Sequence, residues 1–156
     1  MHPRAQCTQT DGAVYFDGIY LYSGPLAGSP DGTVTPVAGV GTKAKDLAMW
    51  LSRRPQLVAT APNQVRLGGR VAWLVDLRLS PDAGALCGIP CVHLLNSPDR
   101  NGSYAMGIEG PWAVRAIFVD APNGETLAVT IQDTDGSGLA AEVDAAQPIV
   151  DSIAFP

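Results

Sequence analysis

The stretch VRLGGRVAWLVDLRL, residues 65–79, decides the predicted fold. Its apolar residues alternate with more polar neighbours, as expected for a strand that buries one face. Gly68 and Gly69 interrupt this alternation, and such a pair is typical of a bulge or bend within a strand. The sequence therefore predicts one long strand whose buried face is formed by Val65, Leu67, Val71, Trp73, Val75, Leu77 and Leu79.

Shorter strands are expected before and after this stretch, because aromatic and β-branched residues cluster there between turn-forming residues. Asn123 and Gly124 mark a hairpin, since this pair readily adopts the positive φ angles of a tight turn. Gly, Pro, Ser and Asp dominate residues 23–41, which are expected to form a long loop. The other predicted strands cover residues 14–22, 57–61, 91–95, 103–108, 112–119 and 127–131.

Two stretches show helical periodicity. Thr42 is placed to cap a helix over residues 43–54, and Pro55 is placed to stop it. A second helix is expected near residues 139–150, where apolar residues recur at helical spacing. We therefore expect an α+β fold, in which a twisted antiparallel sheet of about 6–8 strands packs with two main helices. This single domain would span residues 14–156, after a flexible N-terminal stub at residues 1–13.

Composition and charge exclude several classes of protein. The 156 residues include 17 Gly and 13 Pro, and such a turn-rich chain does not suit a helical bundle or a coiled coil. The net charge of −5 leaves no basic stripe, so a nucleic-acid partner is not expected. No window approaches 18 consecutive apolar residues, so a membrane span is not expected. The first residues lack the apolar segment of a signal peptide.

Two of the three cysteines lie close together, in the sequence CGIPC at residues 87–91. Gly and Pro between Cys87 and Cys91 favour a tight reversal that brings the sulfur atoms together in a disulfide. Such a bond persists outside the reducing cytosol, which predicts an extracytoplasmic location. Two alternatives remain: a pair of free thiols, or a metal site that also uses His93.

Three motifs stand out in the order of elements: the helix AKDLAMWL at residues 44–51, the turn VRLGGR at residues 65–70 and the ending QPIVDSIAF at residues 147–155. In this order they resemble a domain type found in exported proteins of actinobacteria and related high-GC bacteria. This layout is similar to the PsbP-like α+β sandwich group, which includes LpqN-like bacterial lipoproteins. Members of that group are generally accessory or binding proteins, so the resemblance implies no catalytic residues.

Residues 133–144 are similar to a calcium-binding loop. Asp133, Asp135 and Ser137 occupy ligand positions 1, 3 and 5, Gly138 occupies the turn position, and Asp144 occupies position 12. Alternate oxygen atoms at this spacing can converge on a hard cation. The alternative is a polar loop in which Ser137 or Asp135 caps the last helix.

The residues available for catalysis are few. The chain has two histidines and no G-x-S-x-G motif, so no catalytic residues are assigned. An apolar pocket between sheet and helix is the expected ligand site, with Trp73, Trp112 and Tyr20 as candidate ligand-binding residues. We therefore expect a non-enzymatic extracytoplasmic binding or accessory domain with no cofactor, whose partner is a protein, a lipid-like ligand or the cell envelope. The alternatives are a small enzyme using this pocket and a calcium-stabilised module.

Overall fold

The computed structural model describes residues 17–29, 37–86, 89–96 and 105–156. The described chain is α+β, with two helices and mostly antiparallel strands. The predicted stub at residues 1–13, residues 30–36 of the predicted loop, and Cys87 lie outside the described residues. In chain order the elements are β1 (Gly18–Ser23), β2 (Leu26–Ala27), α1 (Ala44–Ser52), β3 (Leu57–Ala59), β4 (Asn63–Leu67), β5 (Arg70–Leu79), β6 (Ala85–Leu86), β7 (Ile89–Asn96), β8 (Ala105–Glu109), β9 (Ala113–Asp120), β10 (Thr126–Asp133) and α2 (Leu139–Asp151).

Six strands form the main sheet, in the order β1-β10-β9-β5-β3. Strand β4 also pairs with β5, on the edge that β5 shares with β3. The other strands gather around β7, which pairs with β2, β6 and β8. Every pairing among the described strands is antiparallel, as the sequence predicted. The two helices also lie close to their predicted positions.

The prediction of one long strand over residues 65–79 is wrong. The stretch folds into a hairpin, because Gly68 and Gly69 form a two-residue turn with φ angles of +55° and +78°. Leu67 pairs with Arg70 across this turn. The turn also lies close to the C-terminal segment, since a Cβ atom on Gly68 would lie 2.6 Å from the ring of Phe155.

The main sheet buries apolar residues on both of its faces. One face packs against α1 and the strands around β7, and the other face packs against α2. We call the first cluster the α1 core; it includes Leu47, Leu51, Val75, Leu77, Val92, Leu94, Met106, Ile108, Val114 and Phe118. We call the second the α2 core; it includes Leu67, Ala72, Ile117, Val119, Val129, Ile131, Ala146 and Val150.

The first turn of α1 is capped by Asp120, 76 positions later in the sequence. The prediction that Thr42 caps this helix is therefore wrong. The N-cap residue is Lys43, and its side chain makes no capping hydrogen bond. Instead the Ala44 amide donates to Asp120 Oδ1 over 3.0 Å. Thr126 Oγ1 lies 2.8 Å from the same carboxylate oxygen. The end of β9 and the start of β10 therefore fix where α1 begins.

Candidate ligand-binding site

The three aromatic residues predicted to bind a ligand lie at separate places. Trp73 on β5 pairs with Phe118, whereas Tyr20 on β1 pairs with Thr130. Strands β1 and β5 are separated by β10 and β9, which places them about 14 Å apart. Trp112 is 9% exposed in the α1 core, and it precedes Ala113, which pairs with Arg78 five positions along β5 from Trp73. The structure therefore does not gather these side chains around one point.

Helix α1 contributes to two contacts between a tryptophan ring and a cation. Lys45 Nζ lies 5.2 Å from the ring centroid of Trp73 on β5. Arg54 Cζ, just beyond the end of α1, lies 4.8 Å from the ring centroid of Trp50. Both tryptophans are partly exposed. Lys45 and Trp50 differ by five positions, or about 140° around a helix, so the two contacts lie on opposite flanks of α1.

Arg54 is the more unusual of the two cations because it is only 6% exposed. Burial lowers the pKa of Arg54 to about 10, which still leaves the side chain charged at neutral pH. Within the described residues it forms no ion pair with a carboxylate. Buried charges are usually paired, because removing an ion from water is costly.

The hydrogen bonds of the Arg54 guanidinium are incomplete. Nη1 donates to the backbone carbonyl of His93 on β7. Nη2 is buried and has no hydrogen-bond partner in the described part of the chain. Gln56 Oε1, an acceptor from the same Arg54–Leu57 turn, is also buried and has no partner among the described residues. A buried polar atom left without a partner costs about 1–3 kcal/mol. A ligand that forms hydrogen bonds with these atoms would remove this cost.

Sequence analysis did not select Arg54. A pair such as Arg53-Arg54 is ordinary at the end of a helix, because the negative end of the helix dipole favours cations. The available signal was the four-residue spacing of Trp50 and Arg54, which places their side chains on one face of a helix. The Nη1 atom of Arg54 donates to the His93 carbonyl on β7, 39 positions away, and no local pattern shows that contact.

The predicted calcium loop brings three of its four proposed ligands together. Asp133 Oδ1 accepts from the Gly136 amide over 2.9 Å, and Asp133 Oδ2 accepts from the Gly138 amide over 3.0 Å. Asp135 Oδ1 accepts from the Ser137 amide over 2.8 Å. The side chain and the amide of Ser137 lower the pKa of Asp135 by hydrogen bonding. The carboxylates of this loop thus bond its own backbone.

Asp144, the fourth proposed calcium ligand, lies within α2. Its negative charge acts on Arg115, whose pKa is raised first by a hydrogen bond to Asp76 and further by the charges of Asp76 and Asp144. Arg115 donates to both oxygens of Asp76 over 2.7 and 2.8 Å, in a half-buried ion pair. Asp144 therefore belongs to the electrostatic surroundings of this pair.

Cys91 and His93 are both buried on β7, and the predicted disulfide or metal site there also requires Cys87, which lies outside the described residues. Across the residues that the structure describes, no group of three or more His, Cys, Asp or Glu side chains could hold a metal ion. The disulfide between Cys87 and Cys91 stays a prediction.

Glu109, at the end of β8, provides a test of burial at the turn between β8 and β9. Burial raises the pKa of Glu109, so its charged form is disfavoured in the folded protein. The folded protein then binds a proton more readily than the unfolded chain, and this contribution to stability falls as pH rises through the raised pKa. We expect Glu109→Gln to raise the melting temperature at pH 7 by no more than about 2 °C, with no gain below about pH 4.

Thermal unfolding of wild type and Glu109→Gln between pH 3 and 8, roughly the range over which carboxyl groups titrate, measures this effect. Asp82→Asn is the control, because it removes an acidic charge at an exposed position. A gain for Glu109→Gln that matches the gain for Asp82→Asn at every pH would point to net charge instead of burial.

No family model matches the chain, and no curated protein matches its sequence. Among the helices in the described ranges, none is long and apolar enough to cross a membrane. The Trp50–Arg54 contact is the main feature of the candidate site.

Proposed function

We propose that the protein is a non-enzymatic extracytoplasmic binding domain that takes a small lipid-like ligand against a flank of α1. The two tryptophan–cation contacts of this helix carry the proposal. A partly exposed tryptophan offers an apolar surface, and a cation beside it suits an anionic or polar end of the same ligand. This combination fits an amphiphilic molecule better than a wholly apolar one.

The proposal includes the PsbP-like sandwich layout and the extracytoplasmic location. The layout is supported by the α1 core, which joins residues of β5 in the main sheet to residues of β7 and β8. The location follows from the predicted disulfide between Cys87 and Cys91. A binding role agrees with the resemblance, since members of the PsbP-like group are generally accessory or binding proteins.

Tryptophan emission can test the proposed function directly, because the chain has three tryptophans. We expect dodecanoate, added below its micellar concentration, to shift the emission of the full chain in a saturable way. The shift should be lost in Trp50→Phe or in Trp73→Phe, according to which flank of α1 binds the ligand. Trp112→Phe is the matched control, because Trp112 is buried in the α1 core.

Two results would contradict the proposal. One is a complete lack of saturable binding for dodecyl chains of every head group. The other is an emission shift that disappears only in Trp112→Phe, because the signal would then come from the core and not from a flank of α1.

A further inference from the structure

We infer that Arg54 anchors the carboxylate of a monoanionic ligand through its buried Nη2 atom, beside Trp50. This inference rests on the proposed function. It specifies which flank of α1 binds the ligand and which head group the ligand carries. Arg54 lies outside every set of site residues that the sequence predicts.

The geometry leaves one edge of the guanidinium for a ligand. A guanidinium is planar, so it can stack on a ring through its face while its N–H groups donate within its plane. The ring of Trp50 lies against Arg54 at 4.8 Å, and Nη1 is used by the His93 carbonyl. Nη2, which is buried and has no partner among the described residues, remains available to an acceptor in the plane of the guanidinium.

The charge of the site favours a carboxylate over a phosphate. Burial is the cause that lowers the pKa of Arg54, and no charged group among the described residues contributes to the shift. The site thus holds one positive charge at neutral pH, which a single negative charge balances. A phosphate dianion would bring a second negative charge into a buried place, at a high cost in desolvation. A carboxylate oxygen bonded to Nη2 would satisfy the donor and neutralise the cation together.

The position of Arg54 also explains why an apolar tail accompanies the carboxylate. Trp50 is partly exposed and lies over the guanidinium, so a chain that leaves the head group can continue along the indole ring. Because Nη2 itself is buried, entry of the head group requires side chains to move. Samples should therefore be equilibrated before each measurement.

The experiment compares head groups on one dodecyl chain. We expect the wild-type protein to bind dodecanoate at least about tenfold more tightly than dodecanol or dodecyltrimethylammonium, because a hydrogen bond to a charged group favours the carboxylate. Arg54→Gln should remove most of this preference. Arg53→Gln is the matched control, because it removes the same charge at the neighbouring exposed position and should keep the preference.

The outcomes separate this inference from the proposed function. Binding of all three dodecyl ligands with equal affinity would overturn the role of Arg54 and leave the binding domain intact. Lack of binding for every dodecyl ligand would contradict both. If Arg53→Gln removes the preference for dodecanoate as fully as Arg54→Gln does, the preference is a general effect of charge. That result would contradict the proposed role of Arg54.

If Arg54→Gln does not fold, equal affinity of the wild-type protein for the three dodecyl ligands still overturns the inference. The side-chain Nε–H resonance of Arg54, assigned by its absence from Arg54→Lys, gives a second measurement. We expect dodecanoate to shift this resonance and dodecanol to leave it in place. An unmoved resonance at saturating dodecanoate would show that Arg54 has only a structural role.

Discussion

Replacing Gly136 by alanine is expected to destabilise the protein by about 3 kcal/mol, or about 6–12 °C in melting temperature. Gly136 has a φ angle of +70°, a left-handed conformation that costs a residue with a Cβ atom about 1–2 kcal/mol. A Cβ atom there would also overlap the backbone carbonyl oxygen of Pro111, so the two loops would have to separate. Overpacking of this kind costs about 1–3 kcal/mol.

Gly124→Ala is the matched control for this prediction. Gly124 also has a positive φ angle, of +86°, but an added Cβ atom would meet no atom within 4 Å. Urea denaturation of both variants therefore separates backbone strain from the contact with Pro111. We expect Gly124→Ala to lose about 1–2 kcal/mol. Equal losses for the two variants would show that the loop of Gly136 moves freely away from Pro111.

The hairpin at Gly68 and Gly69 shows why a correct alternation can give a wrong strand. Across a two-residue turn Leu67 pairs with Arg70, so odd-numbered residues of β4 share a face with even-numbered residues of β5. Apolar residues occupy odd-numbered positions both before and after the two glycines. As a result Val65 packs on the α2 core and Trp73 on the α1 core, although the sequence placed both on one face.

Local patterns were sufficient for most elements of the fold, because they depend on periodicity within a few residues. Residues 112–119, for example, were predicted as a strand, and β9 covers Ala113–Asp120. Contacts between residues far apart in the sequence could not be predicted from such local patterns. Asp120 bonds the Ala44 amide from 76 positions away, and this bond replaces the predicted cap at Thr42.

The candidate site shows the same difference between local patterns, which the sequence predicts, and long-range contacts, which it does not. Residues 133–144 were predicted to resemble a calcium-binding loop, because the spacing of Asp, Ser and Gly is a local signal. Nothing in that spacing tells whether its carboxylates turn toward a cation or toward the loop's own amides. Arg54 was missed because its significance lies in its burial and in its hydrogen bond to His93, 39 positions away, and neither can be predicted from local sequence.

Replacing Asp133 by alanine is expected to destabilise the protein by about 3 kcal/mol. Asp133 is 2% exposed, and its two oxygens accept from the amides of Gly136 and Gly138. Each hydrogen bond to a charged group contributes about 1.5–3 kcal/mol, and its loss would leave a backbone amide unpaired. Gly138 is the N-cap of α2, so the start of this helix should loosen as well. Asp133→Asn should lose less, because one amide keeps an oxygen acceptor.

Asp135→Ala is the control, because Asp135 is exposed and accepts a single amide, from Ser137. We expect it to lose clearly less stability than Asp133→Ala, because water solvates an exposed carboxylate and the amide it leaves. Measuring each variant in chelator and again in millimolar calcium distinguishes the two explanations of the loop. If Asp133 acts by bonding the backbone, its loss costs the same stability in both conditions. A rise in the wild-type melting temperature with calcium, abolished by both substitutions, would instead support the calcium site, since a bound ion stabilises only a loop that can ligate it.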